Sequence, residues 1–255
     1  MVRITYVTIT YNAAKVLQRT LDSVMSQDYP HIVHLIIDGA STDDTLKLVD
    51  DYIERSNAAE NGHLVQVTSE PDKGIYDAMN KGLCSLDGDY VCFLNAGDFL
   101  PSPTTASKIA EAVDGQLPAV LYGDTDIVDG EGRFLHHRRL APPEHLSWKS
   151  FRQGMLVCHQ AFYARTDFAI ATPYDLRYRY SADVDWCIRV MKAAAKENVP
   201  LFNLKMVLAC YTQEGQTTLH HRESLLERYH VMERHYGRLH TFFLHCWFAL
   251  RTLFK

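Results

Sequence analysis

The chain has 255 residues, 47% of them hydrophobic and 22% charged, with a formal net charge of −5, the profile of one globular α/β-sized domain rather than a disordered or fibrous chain. An acidic balance argues against nucleic acid as a partner, since phosphate binding needs a basic face. Six cysteines without C-x-x-C spacing read as reduced thiols of the cytoplasm, and no run reaches the roughly 20 apolar residues that span a bilayer.

In chain order, residues 3–9 are rich in β-branched side chains and read as a first strand. Asn12 is expected to cap the next helix, where Leu17, Leu21, Val24 and Met25 share one face. Asp28-Tyr29-Pro30 stops it. Residues 32–37 form a second strand, apolar enough for burial on both faces. The loop at residues 38–44 leads into a helix with Leu46, Val49 and Ile53 inward, and residues 64–69 are a third strand. Gly74 opens a helix through Ala78, Met79 and Leu83, and residues 90–94 are a fourth strand ending at Asn95.

Such alternation predicts an open, mostly parallel sheet flanked by helices, and ligands of such sheets sit at the carboxyl ends of the strands. The polar clusters Thr10-Tyr11-Asn12, Asp38, Glu70-Pro71-Asp72-Lys73 and Asn95-Ala96-Gly97-Asp98 fall at those four ends. Beyond Pro103 the pattern gives a helix at 106–113, a strand at 120–122 and a hairpin at Asp129-Gly130 returning through 134–138. A short helix at 148–154, a strand at 159–163, a helix at 183–196, a strand at 201–208 and closing helices at 221–236 and 239–254 follow. Neither G-x-G-x-x-G after the first strand nor G-x-x-x-x-G-K-[ST] occurs, which excludes a dinucleotide fingerprint and a P-loop.

Seven segments appear together and in order: Thr8-Ile9-Thr10-Tyr11-Asn12, Ile36-Ile37-Asp38-Gly39-Ala40-Ser41-Thr42-Asp43, Glu70-Pro71-Asp72-Lys73-Gly74 with the helix after it, Phe93-Leu94-Asn95-Ala96-Gly97-Asp98, Tyr122-Gly123-Asp124, His159-Gln160 and Ser181-Ala182-Asp183-Val184-Asp185-Trp186. In these the chain resembles glycosyltransferase family 2, of the GT-A (Rossmann-like) α/β fold, close to bacterial capsule and exopolysaccharide enzymes of colanic-acid type. The resemblance implies inverting transfer from a nucleotide-sugar donor, UDP favoured, to a saccharide or lipid-linked saccharide acceptor. It divides the chain into a nucleotide-binding half at 1–100, an acceptor half at 101–218 and a helical extension at 219–255.

The resemblance also implies residue roles. Asp38 accepts the imide N–H of the base, with Thr10, Tyr11 and Asn12 lining that pocket; the competing reading is an Asx turn. Asp72 and Lys73 lie beside the nucleotide, or form a solvated turn. Asp98 is the expected ligand of Mg²⁺ or Mn²⁺ across the diphosphate, and Asn95 stands where a second carboxylate is usual. Asp183 is the expected base, with Asp185 on another side of the same helix. His159, Gln160 and Asp124 border the acceptor, with hairpin-turn polarity a competing account of Asp124. Residues 213–218 align with a loop that covers the donor.

Residues 220–255 hold six of the thirteen histidines and six Arg or Lys against three Glu, a basic end on an acidic chain. Aromatic residues beside cations there suit an interfacial membrane helix, and equally a helix packed on the domain or on a second subunit. The expected location is cytoplasmic, or peripheral on the inner face of the cell membrane. Two rival readings remain: a nucleotidyltransferase, which needs a Gly-rich basic loop where this chain has Thr10-Tyr11-Asn12, and a non-catalytic sugar-nucleotide-binding scaffold, which leaves Asp183 unexplained.

Overall fold

The computed structural model describes residues 1–113, 115–213 and 221–253. The donor-covering loop expected at 213–218 lies outside the described residues from 214 onward. Parallel strands β1 (Ile4–Thr10), β2 (Ile32–Asp38), β3 (Leu64–Ser69) and β4 (Tyr90–Phe93) alternate with helices α1 (Ala14–Met25), α2 (Thr45–Ala58) and α3 (Ile75–Cys84). Helix α4 (Thr105–Val113), strand β5 (Val120–Val128) and strand β6 (Phe134–His137) come next. A 3₁₀ turn at His159–Ala161 leads to β7 (Phe162–Arg165), α5 (Thr166–Ile170), α6 (Ala182–Glu197), β8 (Leu201–Thr212), α7 (His221–Tyr236) and α8 (Arg238–Leu253).

All eight strands join one sheet in the order β3-β2-β1-β4-β7-β5-β6, and β8 pairs in parallel along the other edge of β5. β7 runs antiparallel between β4 and β5, so it stitches the parallel half to the second half. The order reverses between β1 and β4, which opens a crevice beyond their carboxyl ends. Register places Thr10 opposite Asp38, and Asp38 opposite Ser69.

Burial explains the sequence pattern. Every residue of β1, β2 and β4 is buried, as expected of central strands covered on both faces. β3 is an edge strand with Leu64 and Val67 exposed. Leu17 and Leu21 of α1 pack with Val49 and Tyr52 of α2 over Ile36, while Met79, Phe93, Phe162 and Trp186 belong to the larger cluster. Full burial of such side chains contributes about 1.5–3 kcal/mol each.

Several expectations are corrected. Asn12 does not cap α1: it takes a left-handed backbone (φ 48°), and its Oδ1 instead accepts the Thr42 N–H at 2.9 Å, tying the β1 loop to the β2 loop. The strand expected at 159–163 begins as a 3₁₀ turn and becomes extended only from Phe162. The short helix expected at 148–154 is a single 3₁₀ turn at Ser150–Gln153. β5 runs to Val128, so Asp124 and Asp126 are strand residues rather than hairpin-turn residues. β8 continues to Thr212, and α5 was not foreseen.

α7 packs on the body of the protein through Val231 and Met232, and its Tyr236 stacks on Trp148. After Gly237 (φ 88°) the chain reverses, and α8 lies back along α7 with the His245 and Tyr229 rings 4.8 Å apart. Among the described residues no helix is long and apolar enough to cross a membrane.

Candidate active site

Asp38, at the end of β2, is fully buried, and its carboxylate accepts four hydrogen bonds. They come from Thr10 Oγ1 (2.9 Å), the Ser41 N–H (2.9 Å), Ser41 Oγ (2.5 Å) and Ser69 Oγ (2.7 Å). Burial alone opposes ionisation, but the bonds from Ser41, Ser69 and Thr10 outweigh it and hold the carboxyl below its usual range. The Asx turn and the buried anion are therefore both present. Gly39 follows because a Cβ there would lie 2.5 Å from Asp72 Oδ2 and 3.3 Å from the Tyr11 ring. Asp72 in turn accepts the Gly74 N–H at 2.7 Å, which fixes the approach to α3, while Lys73 and Tyr11 stay exposed.

Asp98 closes a turn after β4, its N–H bonded to Asn95 C=O at 3.0 Å, with Gly97 at φ 99°. Thr20 of α1 pins the turn by donating to Asp98 C=O and accepting the Gly97 N–H, and Thr212 of β8 donates to Gly97 C=O. The Asp98 carboxylate is 5% exposed; Oδ1 accepts the Thr212 N–H at 2.9 Å and Oδ2 accepts Gln160 Nε2 at 2.6 Å. Burial pushes its pKa up to about 7 against these two bonds. Asn95 Oδ1 is buried with no partner. An orphaned amide oxygen one turn from a single carboxylate is a donor set that fits an oxygen-seeking divalent cation, since each Asp98 oxygen keeps a second lone pair. Among the described residues no three carboxylate, histidine or cysteine groups gather into a metal cluster.

Gln160 links Asp98 to the third part of the site, because His159 beside it faces Asp183. Asp183, in the first turn of α6, accepts the Tyr76 hydroxyl at 3.1 Å, and its Oδ2 lies 3.9 Å from His159 Nδ1. That separation is too long for a hydrogen bond. His159 is 7% exposed; burial depresses its pKa, against the opposing pull of Asp183, and its Nε2 has no partner. Burial thus disfavours the charged imidazolium, and one ring nitrogen stays unsatisfied. Tyr76 is held from behind by an aromatic pile, stacking on Tyr174 (5.6 Å), which stacks on Trp186 of α6 (5.0 Å). Each such contact contributes about 0.5–1.5 kcal/mol beyond area burial.

Asp185 looks the other way. It is fully buried and bonded to Arg189 Nε at 2.6 Å and His235 Nε2 at 2.7 Å. Burial opposes its ionisation, yet His235 and Arg189 more than compensate and keep it anionic. Asp124 on β5 is half-buried, and burial raises its pKa. Tyr76, Thr212, Thr20 and Glu227 surround these residues and carry no signal in the sequence, because the first three bond partners 77 to 115 residues away and Glu227 stands on a helix that reads as an appendage.

Known proteins resemble this chain in sequence and in fold. A family model described as "Glycosyl transferase family 2" matches residues 5–171. A "PGL/p-HBAD biosynthesis glycosyltransferase" of Mycobacterium bovis is 32% identical over 208 residues, covering 81% of this chain and 75% of that one. Among solved structures, S. aureus TarS 1–349 in complex with UDP-GlcNAc superposes with a TM-score of 0.69 at 18% identity, over 91% of this chain and 64% of that chain. The mannosyltransferase PcManGT from Pyrobaculum calidifontis in complex with GDP-Man and Mn²⁺ gives 0.62 at 17%, over 91% and 64%.

Proposed function

The chain belongs to glycosyl transferase family 2 and is a glycosyltransferase, and from that premise we propose that it catalyses inverting transfer of a sugar from a UDP-sugar to a saccharide or lipid-linked saccharide hydroxyl in bacterial surface polysaccharide assembly. The observation that carries the reading is Asp183, stationed between the Tyr76 hydroxyl and His159, whose neighbour Gln160 bonds Asp98. A base on one side and a phosphate-facing carboxylate on the other is what in-line displacement requires.

Residues 1–100 hold the donor and residues 101–218 the acceptor. The uracil imide N–H replaces one of the rotatable Ser41 or Ser69 hydroxyls on Asp38, whose acceptor positions are otherwise filled. Thr10, Tyr11 and Asn12 line that pocket, and Lys73 and Asp72 flank the ribose and diphosphate. Asp98 and Asn95 would hold Mg²⁺ or Mn²⁺, which would supply positive charge against the diphosphate leaving group. Asp183 takes the proton of the attacking hydroxyl. The Tyr76 hydroxyl restrains its carboxylate, and His159 Nε2 and Gln160 orient the acceptor, with Asp124 at its margin. Donor complexes of the TarS and PcManGT neighbours support a nucleotide-sugar partner, and the Mn²⁺ of the second supports a cation.

An acceptor carried on a lipid suits the outer surface of α8. Leu239, Phe242, Phe243 and Trp247 fall on one helical stripe and are 53–75% exposed, with Arg238 beside them. Such a stripe suits a lipid surface, which supports a peripheral location on the cytoplasmic face of a membrane.

The test is a panel of UDP-, GDP- and dTDP-sugars scored for binding with Mn²⁺ and for slow hydrolysis, with Asp183→Asn and Asp98→Ala as controls. A UDP-sugar should bind and be consumed, and Asp183→Asn should cut turnover by roughly 100-fold or more. Failure of every donor to bind removes the transferase reading of the site. Normal turnover by Asp183→Asn removes the base.

A further inference from the structure

Helix α6, which carries Asp183, starts without a cap of its own. Ser181 at its N-cap makes no side-chain bond to the helix. Its hydroxyl donates instead to Ser224 C=O of α7 at 3.1 Å. The turn that leads into the helix is held from elsewhere in the chain: the successive backbone N–H groups of Arg179, Tyr180 and Ser181 converge on the carboxylate of Glu227, at 2.8, 2.7 and 3.0 Å. Consecutive amides closing on one anion form a nest, and such charge-assisted bonds are short and strong. Ser224, Glu227, Val231, Arg234 and His235 recur at helical spacing on one face of α7, and that face meets α6 again where His235 holds Asp185.

We propose that Glu227 is a positioning residue for the transfer reaction: by clamping the turn at residues 179–181 it sets the reach of Asp183, two residues further on, toward the acceptor hydroxyl. The inference rests on the reading of Asp183 as base. Its physical content is geometric. Ser181 is fully buried, so without the carboxylate its N–H has no water to turn to. The turn must then rearrange and carry the first turn of α6 with it, whereas Asp38 at the β1–β2 donor end is held by Thr10, Ser41 and Ser69.

The test uses the full chain and the donor that the panel identifies. Glu227→Gln keeps the shape but removes the negative charge on which the three N–H groups close and one of the two acceptor oxygens. Its turnover should fall roughly 10- to 100-fold, the scale of a small misplacement of a reacting group, with donor affinity within about twofold of the parent. Glu227→Asp, charged but one methylene short, should recover part of the turnover. Amide exchange at 179–181 should be slow in the parent and fast in Glu227→Gln. Parent-like turnover in Glu227→Gln overturns the proposal, as does a turnover loss matched by equal loss of donor affinity. Unprotected amides at 179–181 in the parent overturn it even if Glu227→Gln fails to fold. An active Asp183→Asn is a separate failure, of the base, and the exchange measurement stands apart from it.

Discussion

Asp183 and Asp185 are two residues apart in one helical turn, and their surroundings give them opposite work. Asp185 is sealed from solvent between Arg189 and His235, and breaking a buried pair by neutralising one partner costs about 3–5 kcal/mol. Asp185→Asn should therefore lower Tm by about 10 °C at neutral pH, at roughly 2–4 °C per kcal/mol for a chain of this size. The sign with pH follows from the depressed carboxyl of Asp185. A folded pKa below the unfolded value of about 3.9 gives stability that is present above that value and lost as pH falls through the folded pKa. The Tm gap between parent and Asp185→Asn should thus be widest above about pH 5 and close on acidification. Calorimetry of the two proteins across that range checks it, and a gap independent of pH would show that the charge of Asp185 contributes nothing. Both aspartates were legible as a pair on different sides of a helix. The choice of Asp183 as base rests on the family resemblance and not on spacing, because Tyr76 lies 107 residues and His235 50 residues from its aspartate, and no local pattern records such distances.

At the scale of elements, hydrophobic period identified β1, β2, β4, α1 and α6, whose burial follows their own sequence. It failed where polarity inside an element had a tertiary cause. β5 was cut short at Tyr122 because Gly123, Asp124 and Asp126 look like a turn. Gly123 is there because a Cβ would sit 2.4 Å from Met206 C=O of β8, at a register shift between the two strands. α8 is the reverse case, an element found correctly whose apolar stripe faces outward. Replacing Leu239, Phe242, Phe243 and Trp247 together by serine should abolish flotation with phosphatidylglycerol vesicles while leaving Tm and donor hydrolysis at parent values, since these side chains are exposed. Flotation equal to the parent would remove the membrane role. A parent dimer that falls apart in the variant would instead assign the stripe to a second copy of the chain.

The whole molecule poses an electrostatic problem that no single element does. The chain carries a net charge of −5, and the site proposed for the donor has Asp38, Asp72 and Asp98 after strands and Asp183 at the start of α6 around it. Lys73 stands exposed at one rim, and one ammonium does not balance a diphosphate facing several carboxylates in a partly buried cleft. Asn95 in place of a carboxylate lessens the repulsion toward the donor and weakens any cation site in its absence. Cation and donor should therefore bind together and poorly apart. In a thermal-shift titration, Mn²⁺ alone and UDP alone should each move Tm by no more than about 1–2 °C. The two together at about 100 times their joint dissociation constant should add roughly 2.7 kcal/mol, or about 5–10 °C. Asp98→Ala should abolish the synergy while UDP alone behaves as in the parent. An equal shift by UDP with a chelator present would mean that protein groups neutralise the diphosphate unaided, and the pairing of Asp98 with Asn95 around a cation would have to be given up.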